Sequence, residues 1–123
     1  NFMFTGIIED LGKIIKIEEA KFTIAYKSCE ILTLGESISL SGMCSTVIAF
    51  NEQEFQVEIM KESRNRTIFK NAKIGDLINL ERAAKIGDRN SGHFVLGHID
   101  ATGEIIAREK KSDFELFRIK ISR

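Results

Sequence analysis

The chain has 123 residues, 43% hydrophobic and 29% charged, the composition of one ordinary globular domain. Its 18 lysines and arginines balance 18 aspartates and glutamates, so no net field marks nucleic acid or an anionic membrane as a partner. The longest apolar runs fall far short of the roughly 20 residues of a membrane span and the first residues lack a secretion-signal pattern, so the expected location is the cytoplasm.

Strand signals dominate the chain order. Met3, behind Asn1-Phe2, reads as the natural start, and Phe4 to Ile17 is β-rich. Lys21 to Lys27 alternates polar with apolar, as a half-buried strand does. In "LGESISLSGMCSTVIAF", Ser37, Ser39 and Ser41 share one face, which reads as solvated, and Ile38 and Leu40 the other. Gly42 then offers a bend or bulge before a second β-rich run ending at Phe50. Asn51-Glu52-Gln53 is a polar turn, followed by alternation through Phe55, Val57 and Ile59. "KESRNRTIFKNAK" breaks the pattern as a short helical turn and loop; its cations Lys61, Arg64, Arg66, Lys70 and Lys73 read as a solvated surface. "IGDLINLERA" is again a strand, and "KIGDRNSG" is the linker candidate.

The chain repeats itself. "FMFTGIIEDLGKII" is answered by "HFVLGHIDATGEII" at a constant separation of 91 residues: Gly6 matches Gly97, Gly12 matches Gly103, and Ile14-Ile15 match Ile105-Ile106. "LGESISL" likewise echoes "IGDLINL". The expected fold is all-β: about six short strands and a short helical turn up to Gly92, spaced as in an antiparallel barrel or sandwich, then the opening strands of a second copy from His93 onward. Two strands cannot bury both faces, so the second part has to pack on something else.

"MFTGIIEDLGKI", "GMCSTV", "MKESRNRT", "NLERA" and "GHFVLGHIDATGEI" occur in that order, and together the chain resembles riboflavin synthase of the alpha-chain type. That family duplicates a six-stranded antiparallel Greek-key barrel, which accounts for the repeat. It implies a first lumazine-binding barrel with a short helical turn over residues 3–92 and the opening strands of a second, incomplete barrel over residues 93–123. The resemblance implies dismutation of two molecules of 6,7-dimethyl-8-ribityllumazine, one donating a four-carbon unit to the other, to give riboflavin and 5-amino-6-ribitylaminouracil. It implies no metal and no cofactor, a homotrimer, and lumazine synthase as an associating partner. The metal expectation agrees with the residues, since His93 and His98 have no cysteine near them in sequence. Cys29 and Cys44 also lack metal-ligand or CxxC spacing and read as free thiols.

The chemistry requires a proton to leave a lumazine methyl group and a nucleophile to add to the partner ring. An imidazole, with an ordinary pKa of about 6.5, suits the first task, and a thiolate or hydroxyl the second. The resemblance maps the catalytic residues onto Cys44, His98 and Ser37: Cys44 as nucleophile or polar contact, His98 as proton-transfer and orienting group, Ser37 as supporting hydroxyl. It maps substrate contacts onto Thr5, Gly6, Ile7 and Ile8; onto Cys44, Ser45 and Thr46; onto Glu58, Ile59, Met60, Lys61, Glu62 and Ser63; and onto Gly97, His98 and Ile99. The sequence departs from the family pattern at Ser41 and Ser45, at "ESRNRT", and at Ser91-Gly92. A non-catalytic lumazine or flavin carrier on the same barrel is the alternative. A reductase flavin domain is a third reading, disfavoured because that barrel is not duplicated.

Overall fold

Strand β1 (Asp10–Glu18) folds back at a two-residue turn onto β2 (Lys21–Ala25), and both need partners on their outer edges to bury the side chains they share. β6 (Glu54–Glu58) pairs with β2 and β7 (Leu77–Arg82) with β1, both antiparallel. β3 (Ser37–Leu40) lies between β7 and β4 (Met43–Thr46), and the two-residue β5 (Ala49–Phe50) lies on β6. The order across the sheet is β4-β3-β7-β1-β2-β6-β5. Its two ends are one stretch of chain. Val47 N–H donates to Glu36 O (3.0 Å) on the β3 side, whereas Ile48 N–H donates to Gln56 O (2.9 Å) on the β6 side. The sheet therefore curls round until residues 43–50, kinked between Val47 and Ile48, close it, so the expected six-stranded barrel is present with its fourth strand in two halves. The computed structural model describes residues 4–85, 87–89 and 92–121; expectations touching Met3, Ile86, Asn90 and Ser91 lie outside these.

Alternation places Ile14, Phe22, Ile24, Ile38, Leu40, Phe55, Val57, Ile78 and Leu80 inside, each at most 2% exposed. Each such burial contributes roughly 1.5–3 kcal/mol. The helical interruption is α1 (Lys61–Arg66) followed by a 3-10 turn (Ile68–Asn71) that drops Phe69 edge-on against Phe22, 5.8 Å between ring centres. Gly42 is more than a bend: Leu40 pairs with Met43, and Ser41-Gly42 form a two-residue hairpin turn with both φ positive, 48° and 95°. The Gly-acid echoes are turns in which the acid caps the backbone three residues back: Glu36 accepts from Thr33 N (3.3 Å), Asp76 from Lys73 N (2.9 Å) and, in the linker, Asp88 from Lys85 N (2.7 Å).

Two expectations are corrected here. The β-rich start becomes a strand only at Asp10; Phe4 instead forms an isolated bridge with Val95. The three-serine face is not solvated, because Ser37 and Ser39 are 5% and 4% exposed. For Ser39, in register between Glu81 and Cys44, the reason is tertiary. From Gly92 to Ile99 the chain lies on the barrel: His93 N–H donates to Thr5 O (2.9 Å), Phe4 and Val95 exchange both amide bonds (2.8 and 2.9 Å), and Cys44 N–H donates to Gly97 O (2.9 Å). Beyond this strap, β8 (Gly103–Lys110) and β9 (Glu115–Ile121) form a separate antiparallel hairpin. Among the described residues no helix is long and apolar enough to cross a membrane.

Candidate functional site

Cys44 stands where three pieces of chain converge. It is paired with Ser39 across the β3–β4 ladder, half-buried, and its amide holds the carbonyl of Gly97. Gly97 has φ +79°, and a Cβ built there would lie 2.8 Å from Cys44 Cβ, so only glycine permits this approach. His98 follows it directly. Two adjoining hollows of about 330 and 340 Å³ share Met43, Cys44 and Ser63, a size in the range of small-molecule pockets. The first is completed by Ser45, Thr46, Ile48, Glu58, Ile59 and Met60. The second is completed by Glu62, Arg66, Thr67, Gly97, His98, Ile99 and Asp100.

The site offers mixed chemistry. Met60 is 66% exposed and presents an apolar flank. Ser45, Thr46 and Ser63 offer hydroxyls, while Glu58, Glu62 and Asp100 bring carboxylates. The cation of the second hollow, Arg66, is matched by Glu62 at 3.0 Å, one helical turn away. Burial pushes the Cys44 thiol above its ordinary value, and a hydrogen bond with the Ser37 hydroxyl opposes that shift. At neutral pH Cys44 is therefore a neutral thiol, better suited to a polar contact than to attack as a thiolate. Among the described residues no cluster of histidine, cysteine, aspartate and glutamate could hold a metal.

Of the residues singled out in the sequence, Cys44, Ser45, Thr46, Glu58, Ile59, Met60, Glu62, Ser63, Gly97, His98 and Ile99 line these joined hollows. Ser37 lies behind Cys44 and lines neither. Lys61, on the exposed side of α1, also lines neither. Thr5 and Ile7 line a separate cleft with Glu81 and Arg82, and Gly6 and Ile8 are exposed. Met43, Ile48, Arg66, Thr67 and Asp100 also line the hollows and do not stand out in the sequence as site residues. Arg66 reads there as one solvated cation among several, and its spacing from Glu62 is the signal that could separate it.

The family model for the lumazine binding domain matches residues 5–83. Riboflavin synthase of Bacillus amyloliquefaciens is 38% identical over 125 residues, covering 98% of this chain and 58% of that protein. Riboflavin synthase of Bacillus subtilis (strain 168) is 39% identical over 124 residues, covering 97% and 58%. That of Schizosaccharomyces pombe is 39% identical over 119 residues, covering 92% and 56%. The chain thus spans less than two thirds of these relatives' length. Among solved structures, LumP complexed with 6,7-dimethyl-8-(1'-D-ribityl) lumazine superposes with a TM-score of 0.87 at 22% identity, over 98% of this chain and 69% of that one. LumP complexed with flavin mononucleotide gives 0.78 at 22%, over 96% and 67%. At that identity the likeness establishes the fold alone. The family match, with the barrel and the hollows beside Cys44, gives the conclusion: the chain belongs to the lumazine-binding domain family.

Proposed function

We propose that these residues are the first barrel and the opening hairpin of the second in a riboflavin synthase, and that the hollows beside Cys44 hold one 6,7-dimethyl-8-ribityllumazine. The observation that carries this is the convergence of Cys44, Ser63 and His98, from three separated parts of the chain, on one cavity. The ring lies against Met60 and Ile59, and the ribityl hydroxyls meet Ser63, Thr46 and the carboxylates. Cys44 donates a hydrogen bond to the ring, held in place by Ser37. His98, exposed at the rim, takes and returns the proton that moves as the four-carbon unit passes to a second lumazine.

The repeat accounts for Thr5 to Ile8. Phe4 and Val95 occupy equivalent positions in the two repeats and pair with one another, so the two openings meet about a local twofold. Gly97-His98 of the second repeat thereby serve the first cup, and Thr5-Gly6-Ile7-Ile8 take the matching place in the second. A trimer, cytoplasmic location and association with lumazine synthase belong to the same reading.

A non-catalytic carrier is the second reading, favoured by the raised pKa of Cys44. Incubation with the lumazine separates the two. The enzyme reading expects these 123 residues to bind lumazine yet form riboflavin slowly, and a chain carrying both complete barrels to turn over rapidly. In that longer chain Cys44→Ser and His98→Ala bind ligand and slow turnover by roughly 10²-fold or more. Unchanged rates in both variants, or a longer chain that binds without turnover, would remove the enzyme reading.

A further inference from the structure

Glu81 is 5% exposed and buried at the end of β7, where a carboxylate needs several donors to remain. It finds three on one turn. Oε2 accepts from Thr5 N–H (2.7 Å) and from the Thr5 hydroxyl (2.9 Å), and Oε1 accepts from Gly6 N–H (3.0 Å). The same turn carries the strap, since Thr5 O accepts from His93 N–H (2.9 Å) and Phe4 exchanges both amide bonds with Val95. Two residues on, Gly97 O receives the Cys44 amide (2.9 Å). Glu81, Ser39 and Cys44 are in register across β7, β3 and β4, so the strap spans three strands with the carboxylate under one end and the thiol under the other.

We propose that Glu81 is the positioning residue of the Cys44 site. It fixes the Thr5-Gly6 turn, the turn fixes residues 93–97, and these hold Gly97 and His98 against Cys44. Glu81 touches no ligand and lines the separate cleft on the far side of the strap. Charge-assisted bonds to backbone amides are the strong class, and here they reinforce the amide bonds at Phe4, His93, Val95 and Cys44. The consequence for ligand binding rests on the proposed lumazine reading; the consequence for the strap does not.

The two cysteines supply the test. Cys44 lies beneath the strap, whereas Cys29 is wholly buried inside the barrel and reports global unfolding. The 123-residue chain and its Glu81→Gln and Thr5→Val variants are exposed to a thiol reagent, and each cysteine is followed by peptide mass. Glu81→Gln accelerates labelling of Cys44 roughly tenfold, from the loss of charge-assisted bonds, with Cys29 unchanged. Thr5→Val, which deletes one of the three bonds, gives a smaller acceleration in the same direction. Glu81→Gln also weakens 6,7-dimethyl-8-ribityllumazine binding by a similar factor. Cys44 labelling that does not change overturns the proposal, as does acceleration of Cys44 and Cys29 together. A parent chain that binds no lumazine overturns the proposed function and leaves the labelling outcome to decide the role of Glu81 unaided.

Discussion

The hairpins β1–β2 and β8–β9 are built alike and live differently. Each carries a bulge at the same repeat position, the ladder skipping Ile15 in the first and Ile106 in the second. Each begins its packing at a glycine whose Cβ would lie 2.7 Å from an isoleucine Cγ2 across the hairpin: Gly12 with Ile24, Gly103 with Ile119. Yet Phe22, Ile24 and Tyr26 are 0%, 0% and 7% exposed, while the matching Phe117, Ile119 and Ile121 are 52%, 56% and 70% exposed. Register and bulge are thus set by local pattern, and burial is set by the neighbours. The first hairpin has β6 and β7 on its edges and Phe69 over Phe22; the second has β8 and β9 alone in its sheet. Under the proposed function, the apolar face of the second hairpin belongs to the core of the second barrel.

The contrast is sharpest at the aromatic pair. Phe22→Ala opens a cavity beneath Phe69 and Arg64, whose guanidinium lies 5.0 Å from the ring, and costs about 3–5 kcal/mol. Phe117→Ala, with its ring half in solvent, leaves the unfolding free energy of this chain, measured in urea, within about 0.5 kcal/mol of the parent. Equal losses would erase the distinction.

Alkaline pH acts on the closed barrel through two buried groups. Burial raises the Cys29 thiol from 9.0 to about 11 and also raises the Tyr26 hydroxyl. In the folded state Cys29 keeps its proton, while the unfolded chain releases it above about pH 9. Stability is therefore intact below about pH 9 and falls by roughly 2–3 kcal/mol as pH rises to about 11. Denaturant midpoints across this window should fall less steeply in Cys29→Ala, although that variant starts lower. Parallel curves would show that the thiol is not the cause.

The glycines give a smaller difference. Gly12→Ala forces Ile24 and Leu80 to move within a closed core and costs about 1–3 kcal/mol, whereas at Gly103 the shift falls on the exposed Ile119 and costs less. Thermal melts of both variants decide this. Smaller still is the effect on ion pairs. Arg82 grips Glu36 through two bonds of 2.9 and 2.7 Å with both side chains largely buried, so Glu36→Gln lowers stability by about 1–2 kcal/mol. Glu115→Gln breaks the pair with Arg108 on the open hairpin and should leave the midpoint unmoved.

Local signals make much of this legible. Alternation at Phe22, Ile24, Phe55 and Val57 predicts strands, and the glycine-isoleucine echo predicts a second hairpin, which in the structure shares even the bulge. The departures are all tertiary. Nothing near Ser39 says that residues 92–97, held between Thr5 and Cys44, will cross it. Nothing in "STVIAF" says that its two halves will bond to opposite ends of the sheet. Thr5 to Ile8 stand away from the Cys44 hollows because residues 97–99 of the second repeat line them instead, an arrangement visible only when Phe4 and Val95 are seen to pair. Arg66 is set apart in sequence from the solvated cations around it by its four-residue spacing from Glu62, but only α1 places it at the cleft.

Calorimetric titration of the 123-residue chain with 6,7-dimethyl-8-ribityllumazine tests the central claim most directly, because it counts finished cups. One complete barrel and one open hairpin predict a single lumazine per chain, with Cys44→Trp abolishing the heat by filling the hollows. No binding, or two equivalents per chain, would contradict the claim.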